Sequence, residues 1–148
     1  MKNLERLLKV VKKRNWTIGV MESCTGGAII DSITNIPGAS DVFKSGKVTY
    51  SDEAKIMAGV DRKVIEIYSV YSVEVAKEMA RKIEGEIGVG VTGNLPGMVY
   101  MAVRIKNEIK SKNIEAKSVL ENGVEARKEM KREVVEKVWE MVIEELVR

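Results

Sequence analysis

The stretch Thr17–Gly27, TIGVMESCTGG, constrains the fold more than any other part of the chain. Its apolar run Ile18-Gly19-Val20-Met21 reads as a short buried strand, and it breaks at once into the small polar residues Ser23, Cys24 and Thr25 and then two glycines. A helical pattern begins at Ala28. Strand, small-residue turn, helix is an arrangement that aims backbone N–H groups at an anion and exposes a hydroxyl at the strand's end. Glycines also serve simply to turn a chain where φ is positive, so the stretch alone leaves a purely structural reading open.

The remaining pattern surrounds this unit with alternating elements. Leu4, Leu7, Leu8 and Val11 recur at helical spacing and predict an amphipathic helix over about 2–14. A strand over about 16–21 and a helix over about 25–35 follow. A loop then leads to a strand near 43–50, ending at Tyr50. Short helices are predicted near 52–58 and 61–67, and a longer one over about 72–84 with Ser72 as its N-cap. Ile87, Val89 and Val91 alternate with small residues as in a strand. Met98–Ile105 and Ile114–Leu120 read as two more strands, with a turn around Lys106–Asn113. A last helix starts near Val124 and carries Met130, Val134, Val138 and Val142 on one face. This order predicts a single domain over residues 1–148, a three-layer α/β/α sandwich around a mixed sheet. Sites in such folds lie at the C-terminal ends of strands, where Ser23, Tyr50 and Thr92 fall.

Composition removes several kinds of chemistry. The chain has 148 residues, one cysteine and no histidine. No Ser-His-Asp triad, Cys-His pair or His-based metal site can be built from it, and one cysteine cannot build a Cys-rich zinc site. A hydrolytic base must therefore be Lys, Asp, Glu or Tyr, and neither a metal nor another cofactor is expected. One cysteine also rules out an internal disulfide and fits a reducing compartment. The apolar runs are too short to span a membrane and no signal peptide is visible, so a cytoplasmic location is expected. The net charge of +3 is small, and lysines and glutamates are interspersed along the chain. Direct nucleic-acid binding is not expected from such a distribution. Lys12-Lys13-Arg14 sits at a helix end, where cations suit the dipole.

Ser23 follows a strand and precedes a helix N-terminus. A nucleophilic serine needs exposure, a nearby base and N–H groups for the oxyanion, and the turn Ser23–Gly27 offers the hydroxyl and the amides together. Ser23 or Thr25 could equally cap the helix that follows. Tyr50 and Lys55 are five apart, across the end of a strand and the start of a helix, and both can point into one cleft. A desolvated lysine loses its proton more easily and can then activate a serine, with a tyrosine hydroxyl relaying or orienting that proton. A snorkelling surface lysine beside a half-buried aromatic is the alternative. Glu22 could hold Lys55 or a ribose hydroxyl, or stand in solvent. Cys24, with no histidine to lower its pKa, reads as a small buried residue.

These residues, with Pro37-Gly38-Ala39-Ser40, Phe43, Gly46, the run Val48–Lys55 (VTYSDEAK), Tyr71-Ser72 and Thr92-Gly93, form an ordered set that resembles the CinA C-terminal domain family. The resemblance spans nearly the whole chain. It is strongest over Thr17–Val60 and weak after Pro96. It implies the family's best-known activity, deamidation of nicotinamide mononucleotide. Catalytic roles then fall on Ser23, Tyr50 and Lys55. Substrate contacts fall on Thr25, Gly26 and Gly27 of the turn, on Thr92 and Gly93, and on Arg127, which matches an arginine near the start of the family's C-terminal helix. The implied protein is a metal-free amidohydrolase and a homo-oligomer with a small nucleotide substrate.

One departure bears on this reading. Family members carry a long glycine-rich loop after the Thr-Gly, and here Thr92-Gly93-Asn94-Leu95-Pro96-Gly97-Met98-Val99 replaces it, about ten residues shorter. The segment before the last helix is reduced to Gly123-Val124-Glu125. If the long loop covers the substrate or binds its phosphate, its loss alters specificity or abolishes turnover. A noncatalytic nucleotide- or phosphate-binding module, or an interaction protein, is therefore the second expectation.

Overall fold

Five strands form one mixed sheet in a computed structural model that describes residues 2–120 and 123–147. They are β1 (Ile18–Glu22), β2 (Phe43–Val48), β3 (Ile87–Gly93), β4 (Gly97–Ile105) and β5 (Glu108–Ala116), in the spatial order β2-β1-β3-β4-β5. β2, β1 and β3 run parallel, whereas β4 and β5 add on as antiparallel hairpin strands. Among the described residues six α-helices surround the sheet: α1 (Lys2–Lys13), α2 (Ala28–Thr34), α3 (Asp52–Met57), α4 (Arg62–Tyr68), α5 (Val73–Lys82) and α6 (Val124–Leu146).

The two-residue period of the strands divides them between two cores. Ile18 and Val20 of β1 and Ile87, Val89 and Val91 of β3 pack with the apolar stripes of α1, α2 and α6. The stripe of α6 is the predicted Met130, Val134, Val138 and Val142, all buried. The Trp139 indole N–H donates to Ser32 Oγ at 2.8 Å, which joins α6 to α2. On the other face Met21 meets Val75, Met79 and Ile83 around α5. The result is the three-layer α/β/α sandwich.

Two glycines of β3 decide how closely α5 approaches. A Cβ on Gly88 would lie 2.3 Å from the Ala80 carbonyl oxygen, and one on Gly90 would lie 2.2 Å from that of Ala76. The small face of the helix therefore rests directly on the backbone of the strand. That contact anchors α5, and with it the segment that leads into α5, to the centre of the sheet.

The hairpin β4–β5 differs from the sequence expectation. Ile105 pairs with Glu108, so the turn is only Lys106-Asn107, with Lys106 in the left-handed region at φ 55°. The segment read as a turn is most of β5, and the strand expected over Ile114–Leu120 ends at Ala116. Its charged residues Lys110, Lys112 and Glu115 resemble a loop by composition. They are the solvent-facing side chains of an edge strand, where charge prevents unwanted pairing. The basic cluster at the end of α1 makes local contacts on the surface. Lys12 pairs with Asp41 at 2.9 Å, and the Arg14 guanidinium lies 5.1 Å from the centroid of the Trp16 ring. No helix among the described residues is long and apolar enough to cross a membrane.

Candidate active site

The C-terminal ends of the three parallel strands β2, β1 and β3 open onto one cleft of about 220 Å³. Ser23, Tyr50, Lys55, Tyr71, Thr92 and Arg127 line it, and Gly93 contributes backbone. Six residues singled out from the sequence therefore meet at one place although they are spread over more than a hundred positions.

Lys55 is the centre of the arrangement. The α3 N-cap Ser51 accepts the Ala54 N–H on its side-chain oxygen at 3.1 Å, which starts a short helix directly after β2. Lys55 lies one turn in, and it is the buried residue of that helix, 2% exposed. Its Nζ donates to Ser23 Oγ at 2.9 Å and to the Thr49 carbonyl at 2.8 Å. Burial pushes the Lys55 ammonium below its usual pKa, and the Asp52 carboxylate opposes that shift in part. An amine held neutral more easily, within hydrogen-bond distance of a serine hydroxyl, is the requirement for removing that hydroxyl's proton.

Ser23 stands immediately after β1 and is 6% exposed. Its neighbour Glu22 points to the opposite face of the strand, as the two-residue period requires. The Glu22 carboxylate is fully buried and accepts from the Thr25 hydroxyl at 2.5 Å and from the N–H groups of Gly27, Ile29 and Ile30 at 3.0, 3.1 and 2.8 Å. This corrects two expectations. Glu22 neither holds Lys55 nor stands in solvent. The Thr25 hydroxyl and the Gly27 amide, expected to bind an oxyanion or phosphate, are turned to Glu22. The Gly26 N–H is likewise used, donating to the Ser23 carbonyl at 2.9 Å. The helix N-terminus still binds an anion, and that anion is a side chain of the protein.

Tyr50 lies beyond the end of β2, which stops at Val48, and it is 64% exposed. Among the described residues no hydrogen bond joins its hydroxyl to Ser23 or Lys55, so its ring reaches the cleft as a wall. Thr92 is buried and donates to the Val70 carbonyl at 2.8 Å. Arg127 is exposed in the first turn of α6, and its Nη1 donates to the Leu95 carbonyl. It thereby ties the helix to the connection Asn94-Leu95-Pro96, whose Leu95–Pro96 bond is cis. Gly93 adopts φ 155°, and a Cβ there would lie 2.4 Å from the Met98 carbonyl oxygen. The shortened segment is therefore a tight link between paired strands. Cys24 also borders the cleft, but burial raises its thiol pKa to about 11. It is a poor nucleophile at neutral pH.

Sequence reasoning missed two contributions. The Thr49 carbonyl helps to hold Lys55, and no side-chain pattern can announce a backbone acceptor. Tyr71 lines the cleft, and its sequence signals, the Tyr71-Ser72 pair in the family resemblance and its place before the N-cap Ser72, assign its ring no role.

A mixed α/β sandwich carrying a buried serine–lysine pair at the ends of its parallel strands is the class that the fold and site define. The model of the CinA C-terminal domain family matches residues 2–146, and the chain belongs to that family. A protein of Clostridium novyi named as competence-damage inducible is 34% identical over 161 aligned positions, covering 98% of this chain and 37% of that protein. A relative of the same name from Moorella thermoacetica is 37% identical over 115 positions, covering 68% of this chain and 28% of that protein. The chain thus spans about a third of the length of these relatives. The Clostridium alignment has 161 positions against a chain of 148 residues, so the relative carries at least 13 residues that this chain lacks.

Solved structures agree on the fold. The competence damage-inducible protein A of Klebsiella pneumoniae superposes with a TM-score of 0.86 at 20% identity, covering 99% of this chain and 96% of that one. The competence/damage inducible protein of Agrobacterium tumefaciens gives 0.78 at 26% identity, covering 95% and 94%.

Proposed function

We propose that the cleft is the active site of a serine amidohydrolase that deamidates nicotinamide mononucleotide to nicotinate mononucleotide and ammonia. The observation that carries this reading is the buried Lys55 Nζ at 2.9 Å from Ser23 Oγ. Neutral Lys55 accepts the hydroxyl proton as Ser23 Oγ attacks the carboxamide carbon. The proton then passes to the leaving nitrogen as the C–N bond breaks, releasing ammonia and leaving an ester on Ser23. Water attacks that ester with Lys55 again as base, and the carboxylic acid departs. Tyr50 contacts the substrate at the cleft mouth in this scheme. Arg127 is the exposed cation best placed to meet a phosphate there. The choice of a nicotinamide nucleotide comes from the family's best-known activity, and the acid–base chemistry comes from the pair of residues.

The test is ammonia release from nicotinamide mononucleotide and a panel of related amides by the purified protein, beside the Ser23→Ala variant. Release that depends on Ser23 supports the proposal. If no amide is turned over while mononucleotides raise the thermal midpoint, the protein is a noncatalytic binding module, the reading favoured by the shortened connection after Gly93. Neither turnover nor binding would leave an interaction protein.

A further inference from the structure

Tyr50 and Tyr71 are 64% and 50% exposed, yet both line the cleft that holds Ser23 and Lys55. They approach it from opposite flanks. Tyr50 follows β2, Ser23 ends β1, and Tyr71 belongs to the segment bonded to the end of β3 through Thr92 Oγ1 and the Val70 carbonyl. The sheet order β2-β1-β3 therefore sets Ser23 between the segments that carry the two tyrosines. Axes of strands two places apart are about 9.5 Å from one another. A flat ring in van der Waals contact on both faces needs about 7–8 Å between its neighbours.

The backbone of Tyr71 is unusually well fixed for so exposed a residue. Its N–H donates to Ser69 Oγ at 3.1 Å, and Ser69 holds the left-handed φ of 70°. Ser72 Oγ donates to the Ser69 carbonyl at 2.7 Å and accepts the Val75 N–H at 3.2 Å. Thr92 fastens the intervening Val70 from the side of the sheet. A tyrosine on a fixed backbone has only two side-chain torsions to lose, so it presents a large flat surface at little entropic cost.

We propose that Tyr71, with Tyr50 across the cleft, is a specificity-determining wall that selects carboxamides carried on a planar aromatic or heteroaromatic ring over those carried on saturated carbon. Its assignment to substrate choice rests on the amidohydrolase reading above, whereas the ring preference itself is a binding property that stands without turnover. One stacked face contributes roughly a tenfold preference.

The experiment uses benzamide and cyclohexanecarboxamide, which share the carboxamide and the ring size but differ in flatness. Dissociation constants are measured by NMR titration on the full chain carrying Ser23→Ala, which prevents turnover. Benzamide should bind at least about fivefold more tightly. Tyr71→Phe should keep that preference, and Tyr71→Leu, which retains bulk and guards against a collapsed cleft, should lower it at least about fivefold by removing one of the two stacked faces. Equal affinity for the two amides with Tyr71 intact, or a preference that Tyr71→Leu leaves undiminished, overturns the proposal. So does a Tyr71→Leu variant that changes oligomeric state while keeping the preference, since the ring would then serve an interface. With Ser23 intact, Tyr71→Leu should raise KM for nicotinamide mononucleotide about tenfold, the loss falling on KM more than on kcat. If the wild-type chain releases no ammonia from any amide but the titration still shows the preference, the amidohydrolase reading fails and the ring wall remains.

Discussion

Glu22 and Lys55 are side chains of opposite charge beside the same serine, one next to it in sequence and the other 32 positions away, and they are 0% and 2% exposed. Their surroundings differ in one respect. The carboxylate receives four hydrogen bonds, three of them from the backbone of the turn and the start of α2. The ammonium has three protons to give and, among the described residues, two acceptors, one of which is a hydroxyl at the edge of a cleft. A buried charge with all its partners fixes a structure, because every bond it makes would be lost on moving. A buried charge with too few partners is held uneasily and changes its protonation state more readily. The faces of a single strand thus divide the labour. Glu22 on one side shapes the turn, and Ser23 on the other accepts the Lys55 hydrogen bond.

The sharpest way to break this comparison is to remove each side of the chemical pair. Ser23→Ala should lower amide turnover by roughly 10³-fold or more while the far-ultraviolet circular dichroism is unchanged. Lys55→Met should lose nearly as much, and the double variant little more, because the proposed mechanism gives the two residues one proton transfer. Turnover by Lys55→Met above a tenth of the wild-type value would place Lys55 beside Glu22 as a structural charge.

Glu22→Gln should have the complementary effect. Its new amide group turns a donor toward helix N–H groups, so urea denaturation should show a loss of about 1–3 kcal/mol. Turnover of the folded fraction should fall by less than about tenfold. A collapse of activity at unchanged stability would move Glu22 into the chemistry.

The lowered Lys55 pKa predicts a pH dependence with a definite sign. The rate should rise with pH through the folded-state pKa of Lys55, which lies below the ordinary 10.5, because only the neutral amine is a base. Stability follows the same direction. Between the folded pKa and the unfolded one, the unfolded chain holds the extra proton, so the wild type should gain stability relative to Lys55→Met as pH rises through that window. Paired denaturation curves would show it, and a difference that falls with rising pH would contradict the assignment.

Smaller effects separate bystanders from participants. Cys24, with its thiol pKa near 11, should react slowly with iodoacetamide at pH 7.5, and Cys24→Ser should keep turnover within about threefold. Rapid alkylation would show an accessible thiolate that the fold does not provide. Thr49 gives its carbonyl to Lys55, while its buried hydroxyl has no hydrogen-bond partner among the described residues. Thr49→Val keeps the carbonyl and removes the stranded hydroxyl, so it should raise stability by up to about 1 kcal/mol without loss of activity. A clear loss of turnover would show that the hydroxyl faces the substrate.

Much of this was legible along the chain wherever the signal is local. The period of Leu4, Leu7, Leu8 and Val11 predicts α1, the spacing of Met130 to Val142 predicts the buried stripe of α6, and Ser72 caps α5 as its type suggests. The absence of histidine narrows the possible bases before any fold is considered, and it directs attention to Lys55. Such readings work because helix faces, caps and the inventory of side chains depend on neighbours in sequence. Composition misleads where an edge strand has to be charged, and the charged residues of β5 resemble a turn for that reason.

Tertiary structure alone decided which of the candidate groups are free to act. Thr25, Gly26 and Gly27 have the right types for an anion site, but Glu22, delivered from the strand before them, satisfies the Thr25 hydroxyl and the Gly27 amide. Lys55 has the type of a surface residue, and it is buried because α3 starts shortly beyond β2 and turns it toward Ser23, 32 positions away. Tyr71 gains its place from Thr92 on another strand. The residue types and the local elements follow from the sequence. Which donors are spent, which charge is desolvated and which rings face one cleft follow from contacts between distant segments, since desolvation and hydrogen-bond partners belong to the packed molecule and not to the chain.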